Sequence, residues 1–144
     1  MRIVVSVLVF FLPTVMAVAD DKPAFAPNQE WSYHTRPQEA DSTIVIGLIQ
    51  DHPNLGRVIH ITVRRVNVRT AQLTMTEIGH LPISEAALAA SVIELKGVVD
   101  APQSVALGIK EWERAKGGVF TISIAQAVDY VEQTLSGAPK NTER

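Results

Sequence analysis

The chain has 144 residues, 13 Lys+Arg against 15 Asp+Glu and no cysteine, and 47% of it is hydrophobic. That length suits one domain, and the missing thiols exclude a disulfide framework and any cysteine-ligated metal. A formal charge of −2 lacks the basic footprint of a nucleic-acid binder or an anionic-lipid binder.

Met1-Arg2 supplies one positive charge, and Ile3 to Leu12 is apolar apart from Ser6. Pro13 breaks the run and Ala17-Val18-Ala19 ends it with small residues, the layout of a secretory signal peptide over 1–19, cleaved after Ala19 or after Ala17. A spanning helix needs about 20 apolar residues, and here the shorter run is followed by Asp20-Asp21. The expectation is therefore a periplasmic or secreted protein without membrane contact after cleavage. Loss of 1–19 removes only Arg2, so the mature chain carries 12 basic against 15 acidic groups.

Residues 20–29, with Pro23 and Pro27, read as an extended arm, 30–136 as a single α+β domain, and 137–144 as a disordered tail. Trp31, Tyr33 and Thr35 alternate with polar residues, a strand pattern. After the turn at Pro37–Asp41, Thr43 to Ile49 is apolar on both faces, as in a covered strand. Asp51-His52-Pro53-Asn54-Leu55-Gly56 is a turn. Val58 to Val66 follows, with Ile59, Ile61 and Val63 on one face and His60, Thr62 and Arg64 on the other. Gln72 to Ile78 reads as a fourth strand with mixed alternation.

The second half reads as helices. Ser84 caps the first, Ile83 and Leu88 form a hydrophobic staple, and Leu88, Val92 and Leu95 recur at helical spacing up to Gly97. A second helix starts near Pro102 with the stripe Val105, Ile109 and Trp112. Gly108 weakens it by about 1 kcal/mol relative to Ala, and Gly117-Gly118 ends it. Val119 to Ile122 is a short β segment at the sheet edge. Ser123 then caps a third helix, with Gln126 completing a capping box and Ile124, Val128, Val131 and Leu135 as its buried stripe. The predicted architecture is an antiparallel three- to four-stranded sheet with two or three helices packed on one face.

No motif fixes a reaction. His34, His52, His60 and His80 show no i, i+2 or i, i+4 pairing and no HExxH, so no metal site and no cofactor is assigned. No serine lies in a G-x-S-x-G elbow. Gly117-Gly118 follows a helix instead of opening one, unlike a phosphate cradle. Arg64 and Arg65 should face opposite sides of their strand. Ile78-Gly79-His80-Leu81-Pro82-Ile83 reads as a packed sheet-to-helix corner. There His80 and the nearby Glu77 are the catalytic candidates if a His/carboxylate hydrolase site exists. His34, His60, Thr62 and Arg64 are the binding candidates, on a polar sheet face left open by helices covering the other side.

Trp31-Ser32-Tyr33, Arg57-Val58-Ile59-His60-Ile61, Ile78-Gly79-His80-Leu81-Pro82-Ile83 and Gly118-Val119-Phe120-Thr121-Ile122 resemble, in order, small exported proteins of Gram-negative bacteria with no assigned function. The resemblance implies a periplasmic setting and brings no activity with it. The leading expectation is a non-catalytic binding or protein-interaction module with a periplasmic protein partner, an inhibitor or immunity protein being one form. A small hydrolase and a metal-binding protein are the alternatives.

Overall fold

Alternating side chains put Ile44 and Ile46 of one strand and Ile59, Ile61 and Val63 of the next on a common face, which must be covered. The computed structural model describes residues 22–137. The expected signal peptide over 1–19 and, apart from Gly137, the expected tail over 137–144 lie outside the described residues. Five strands form one antiparallel sheet: β1 (Gln29–Tyr33), β2 (Thr43–His52), β3 (Gly56–Arg69), β4 (Thr74–Ser84) and β5 (Val92–Val98). Their order is β4-β3-β2-β1-β5. Three helices complete the α+β fold: α1 (Glu85–Ser91), α2 (Gln103–Arg114) and α3 (Ile124–Ser136).

The fifth strand corrects the expected count. The predicted helix from Ser84 to Gly97 stops at Ser91, and Val92–Val98 turns into β5. Ser84 caps α1 as expected, its hydroxyl accepting from the Ala87 N–H. β1 would otherwise expose one whole edge of unpaired backbone groups, and β5 satisfies that edge through pairs such as Trp31 with Leu95 and Tyr33 with Val92. β-Branched Val92, Ile93 and Val98 suit a strand better than a helix. Leu88 and Val92 are buried all the same, so the apolar stripe marks the right side chains on a different backbone.

The Ile78–Ile83 corner is corrected as well, because β4 runs straight through it to Ser84. Pro82 is tolerated there because β4 is the edge strand. Its carbonyl points away from β3 and accepts the Phe120 N–H at 2.9 Å, so its missing N–H falls on the outer side. Phe120 forms an isolated parallel bridge with Ile83, which is all that develops from the expected Val119–Ile122 segment. A bulge lets Gly79 and His80 fall between the Ile61–Leu81 and Val63–Ile78 pairs, and Thr62 Oγ1 donates to the Gly79 carbonyl at 2.9 Å.

The helices divide between the two faces, which corrects the one-sided arrangement. Leu88 of α1 and Ile124, Ala127 and Val128 of α3 pack with Ile44, Ile46, Ile59, Ile61 and Trp31 in one core. Each of the Leu, Ile and Val side chains contributes about 1.5–3 kcal/mol on full burial, which stabilises a domain without disulfides. α2 lies on the opposite face. Val105 sits against Gly47, where a Cβ would come within 2.8 Å of its methyls. The Ser123–Gln126 capping box is present, but Leu135 is exposed because α3 runs past the end of the core.

A buried ion cluster ties the far end of the sheet to α3. Arg36, 5% exposed, donates to both Glu39 oxygens at 2.7 and 2.9 Å, to Asp129 at 3.0 Å and to Glu132. The Glu39 hydrogen bonds hold the guanidinium above its ordinary pKa against the opposing effect of burial. Arg64 and Arg65 both reach Glu30, contrary to the expected opposite facing. Arg65 has φ +55 within the β3 bulge, which rotates its side chain to the same side.

Candidate functional site

Two of the four imidazoles meet one indole, and a third joins them through His60. Trp112, near the C-terminal end of α2, lies edge-on to His60 of β3 at 4.9 Å between ring centres and to His52 of β2 at 5.8 Å. His80 of β4 joins His60 directly, its Nε2 lying 2.8 Å from His60 Nδ1. Their ring planes differ by 22° with centres 5.1 Å apart, a separation that equals the hydrogen bond plus two ring radii. The rings are therefore edge to edge in nearly one plane, not face to face.

The pair belongs to a short polar chain. His60 Nε2 lies 3.0 Å from Gln50 Oε1. With that oxygen accepting, His60 carries its proton on Nε2 and receives at Nδ1 the Nε2–H of His80. His60 is fully buried, and burial, with repulsion from His80 when both are charged, lowers its pKa to about 4. Burial lowers His80 too. Both rings are neutral at pH 7, which suits one donating to the other.

Glycine makes the contact with α2 possible. A Cβ on Gly108 would lie 2.1 Å from His80 Cβ, and one on Gly79 would lie 2.9 Å from Ser104 Cβ. Ala115 caps the helix and Lys116, with φ +50, makes the left-handed turn that closes it, so the Gly117-Gly118 pair lies just past the end it was expected to make and instead seats the indole. A Cβ on Gly117 would lie 2.2 Å from Trp112 Cδ1, and Trp112 Nε1–H donates to the Gly118 carbonyl at 2.7 Å. Trp112 is thus held in one orientation.

The exposed side of this assembly is a cleft of about 520 Å³ between the β2–β3 turn and the end of α2. Gln50, His52 and Leu55 line one wall, and Trp112, Glu113 and Lys116 the other. His52 is fixed by its own turn, since its Nδ1 accepts the N–H groups of Asn54 and Leu55, both at 3.2 Å.

The candidates from the sequence are dispersed around this centre. His60 and Thr62 are fully buried beneath α2, away from any open sheet face. Arg64 is half-buried and lies 3.9 Å from Glu30. His34 is exposed at the end of β1, with β2 between it and the strand of His60. Glu77 is exposed and accepts from Ser104 Oγ at 3.3 Å, while the ring partner of His80 is His60. Among the described residues, no group of three His, Cys, Asp or Glu side chains is placed to hold a metal ion.

Sequence reasoning passed over Gln50, His52 and Trp112 as site residues. The signal available was Gln50 and His52 at alternate positions, which puts two polar side chains on one strand face beside a turn. No family model, curated protein or solved structure matches this chain.

Proposed function

We propose that this chain is an exported, non-catalytic recognition module, periplasmic in setting, that uses the Trp112 cleft to hold a small molecule or one residue of a partner. The observation that carries this reading is the immobilised indole. Trp112 is clamped by Gly117 and by its bond to the Gly118 carbonyl, and it faces an open cleft with polar groups on both walls. A rigid aromatic surface beside a few placed polar groups is what a small-ligand site needs. The imidazoles that suggested acid–base chemistry instead bond to each other and to Gln50, which favours support of the cleft over proton transfer to a substrate.

Two measurements test it. Amide NMR spectra of the chain with a library of small polar, charged and aromatic fragments should show shifts clustered at Gln50, His52, Leu55, Trp112 and Lys116. Bound fragments should be recovered unchanged. A library that perturbs nothing, or clusters on another surface, removes the recognition reading. Export is tested by N-terminal sequencing of the protein from a periplasmic fraction, which should start at Asp20 or Val18.

A further inference from the structure

We infer that the Trp112 cleft takes a carboxylate carried on an apolar body, such as an N-acyl amino acid or the C-terminus of a short peptide. The inference rests on the recognition reading above and names its ligand class. Its basis is which hydrogen-bonding groups the fold has already used.

His52 Nδ1 accepts two backbone N–H groups, so the ring proton sits on Nε2 and the ring offers the cleft a donor. Gln50 Oε1 is occupied by His60 Nε2, so the part of that amide left for a ligand is its NH₂. Lys116 has no ion-pair or hydrogen-bond partner for its ammonium among the described residues. It also has φ +50, a left-handed backbone rare outside glycine. Its N–H donates to the Glu113 carbonyl at 3.2 Å, and the next N–H, that of Gly117, donates to the Trp112 carbonyl at 2.9 Å. These bonds close the C-terminal turn of α2, and that turn sets Lys116 on the wall of the cleft.

Three side chains thus present donors, and an acceptor-only, negatively charged head answers all of them. The indole N–H is spent on Gly118, so Trp112 offers its ring surface and not its donor. With Leu55 opposite, the remaining space suits an apolar body. Glu113 is the one carboxylate lining the cleft. It is exposed and opposes an anion, which gives the proposal a second handle.

The test uses the full chain without its leader, labelled with ¹⁵N, and two near-isosteric probes, N-acetyl-leucine and N-acetyl-leucinamide. The Trp112 indole signal, assigned with Trp112→Phe, is followed to about 10 mM probe, a range that covers weak small-ligand affinities. The acid should bind at least about tenfold tighter than the amide, as charge-assisted bonds require. Lys116→Met should remove most of that preference, and Glu113→Gln should tighten the acid several-fold. A leucine-terminated pentapeptide that binds more tightly than N-acetyl-leucine identifies the peptide terminus as the source, and equal or weaker binding identifies the free acid. Equal affinity for acid and amide, a preference that survives Lys116→Met, or binding of neither probe overturns the carboxylate assignment. Fragments of other chemistry binding the cleft would then leave the recognition reading intact, and a silent fragment library would remove both.

Discussion

Gly108 of α2 lies against His80 of β4 so closely that a Cβ on Gly108 would stand 2.1 Å from His80 Cβ and 2.6 Å from Cγ. The helix gives up about 1 kcal/mol of propensity at that position. In return α2 comes down far enough for Trp112 to reach His60.

Gly108→Ala should therefore destabilise the protein, although alanine is the better helix former. Forcing a methyl group into this contact costs about 1–3 kcal/mol, which exceeds the propensity gain. The exposed Ala106 in the same helix provides the control, because Ala106→Gly should cost only the propensity term. Urea denaturation of both variants checks this, and a Gly108→Ala protein as stable as the parent would refute the contact.

The buried imidazole pair predicts acid sensitivity. His60 titrates near pH 4 in the folded protein, below its ordinary value of 6.5, and His80 is lowered as well. The unfolded chain then binds more protons between those pH values, so stability is full above about pH 6.5 and falls as the pH drops towards 4. The His60 contribution is on the order of 3 kcal/mol. His60→Gln removes the titration and should flatten the dependence of unfolding free energy on pH. Identical slopes for parent and variant over this window would rule the account out.

Arg36 should be one of the costliest polar side chains to remove. Arg36→Met leaves Glu39 buried without its cation, and loss of one partner of a buried pair costs about 3–5 kcal/mol. Glu39 keeps only the Asn67 N–H at 2.7 Å. Arg36→Met combined with Glu39→Leu should recover part of the loss, because the fully buried carboxylate is then removed with its cation, while Asp129 and Glu132 keep access to water. Chemical denaturation of both variants reads the difference, and a loss under about 1 kcal/mol for Arg36→Met would mean that the cluster is solvated.

Acid also weakens this cluster from the α3 side. Burial pushes the Glu132 carboxyl up, but the Arg69 backbone N–H and Arg36 outweigh it and hold the pKa below the usual carboxylate value of 4.5. A carboxyl lowered in the folded state stabilises above its unfolded pKa and loses that contribution as the pH falls through the folded one. Glu132→Gln should thus lower stability at neutral pH and matter progressively less below about pH 4. An equal loss at both pH values would point to packing rather than charge.

Ser91 links α1 to α3. It is buried, donates to the Ala87 carbonyl at 2.7 Å and accepts the Ile124 N–H at 3.1 Å. Ser91→Ala leaves that N–H buried and unmade, a cost of about 1–3 kcal/mol. Faster hydrogen exchange at the Ile124 amide than at its helical neighbours is the expected signature, and an unchanged rate would show that the bond contributes nothing.

Local patterns made much of the fold legible. Alternation at Ile59, Ile61 and Val63 identified β3 and the face it buries, and Ser123 with Gln126 located the start of α3. The stripe Val105, Ile109 and Trp112 found α2. The site was scarcely legible, because His60, His80, His52 and Trp112 lie on three strands and a helix and become neighbours only when α2 docks.

The residues between Ser84 and Gly97 show where local information ends. By itself, the sequence determined which side chains there are apolar, where α1 begins, and that a thiol-free chain must rely on packing. Only tertiary structure decided that Val92–Val98 is a strand, because the deciding term is the unpaired edge of β1, more than fifty residues earlier in the chain. It likewise decided that α2 covers the face of His60, since the small residues Gly47, Gly79 and Gly108 acquire meaning only when another backbone approaches them. Periodicity records which side of an element is apolar, whereas a sheet edge and a close helix contact are satisfied by whatever distant segment the folded chain brings alongside.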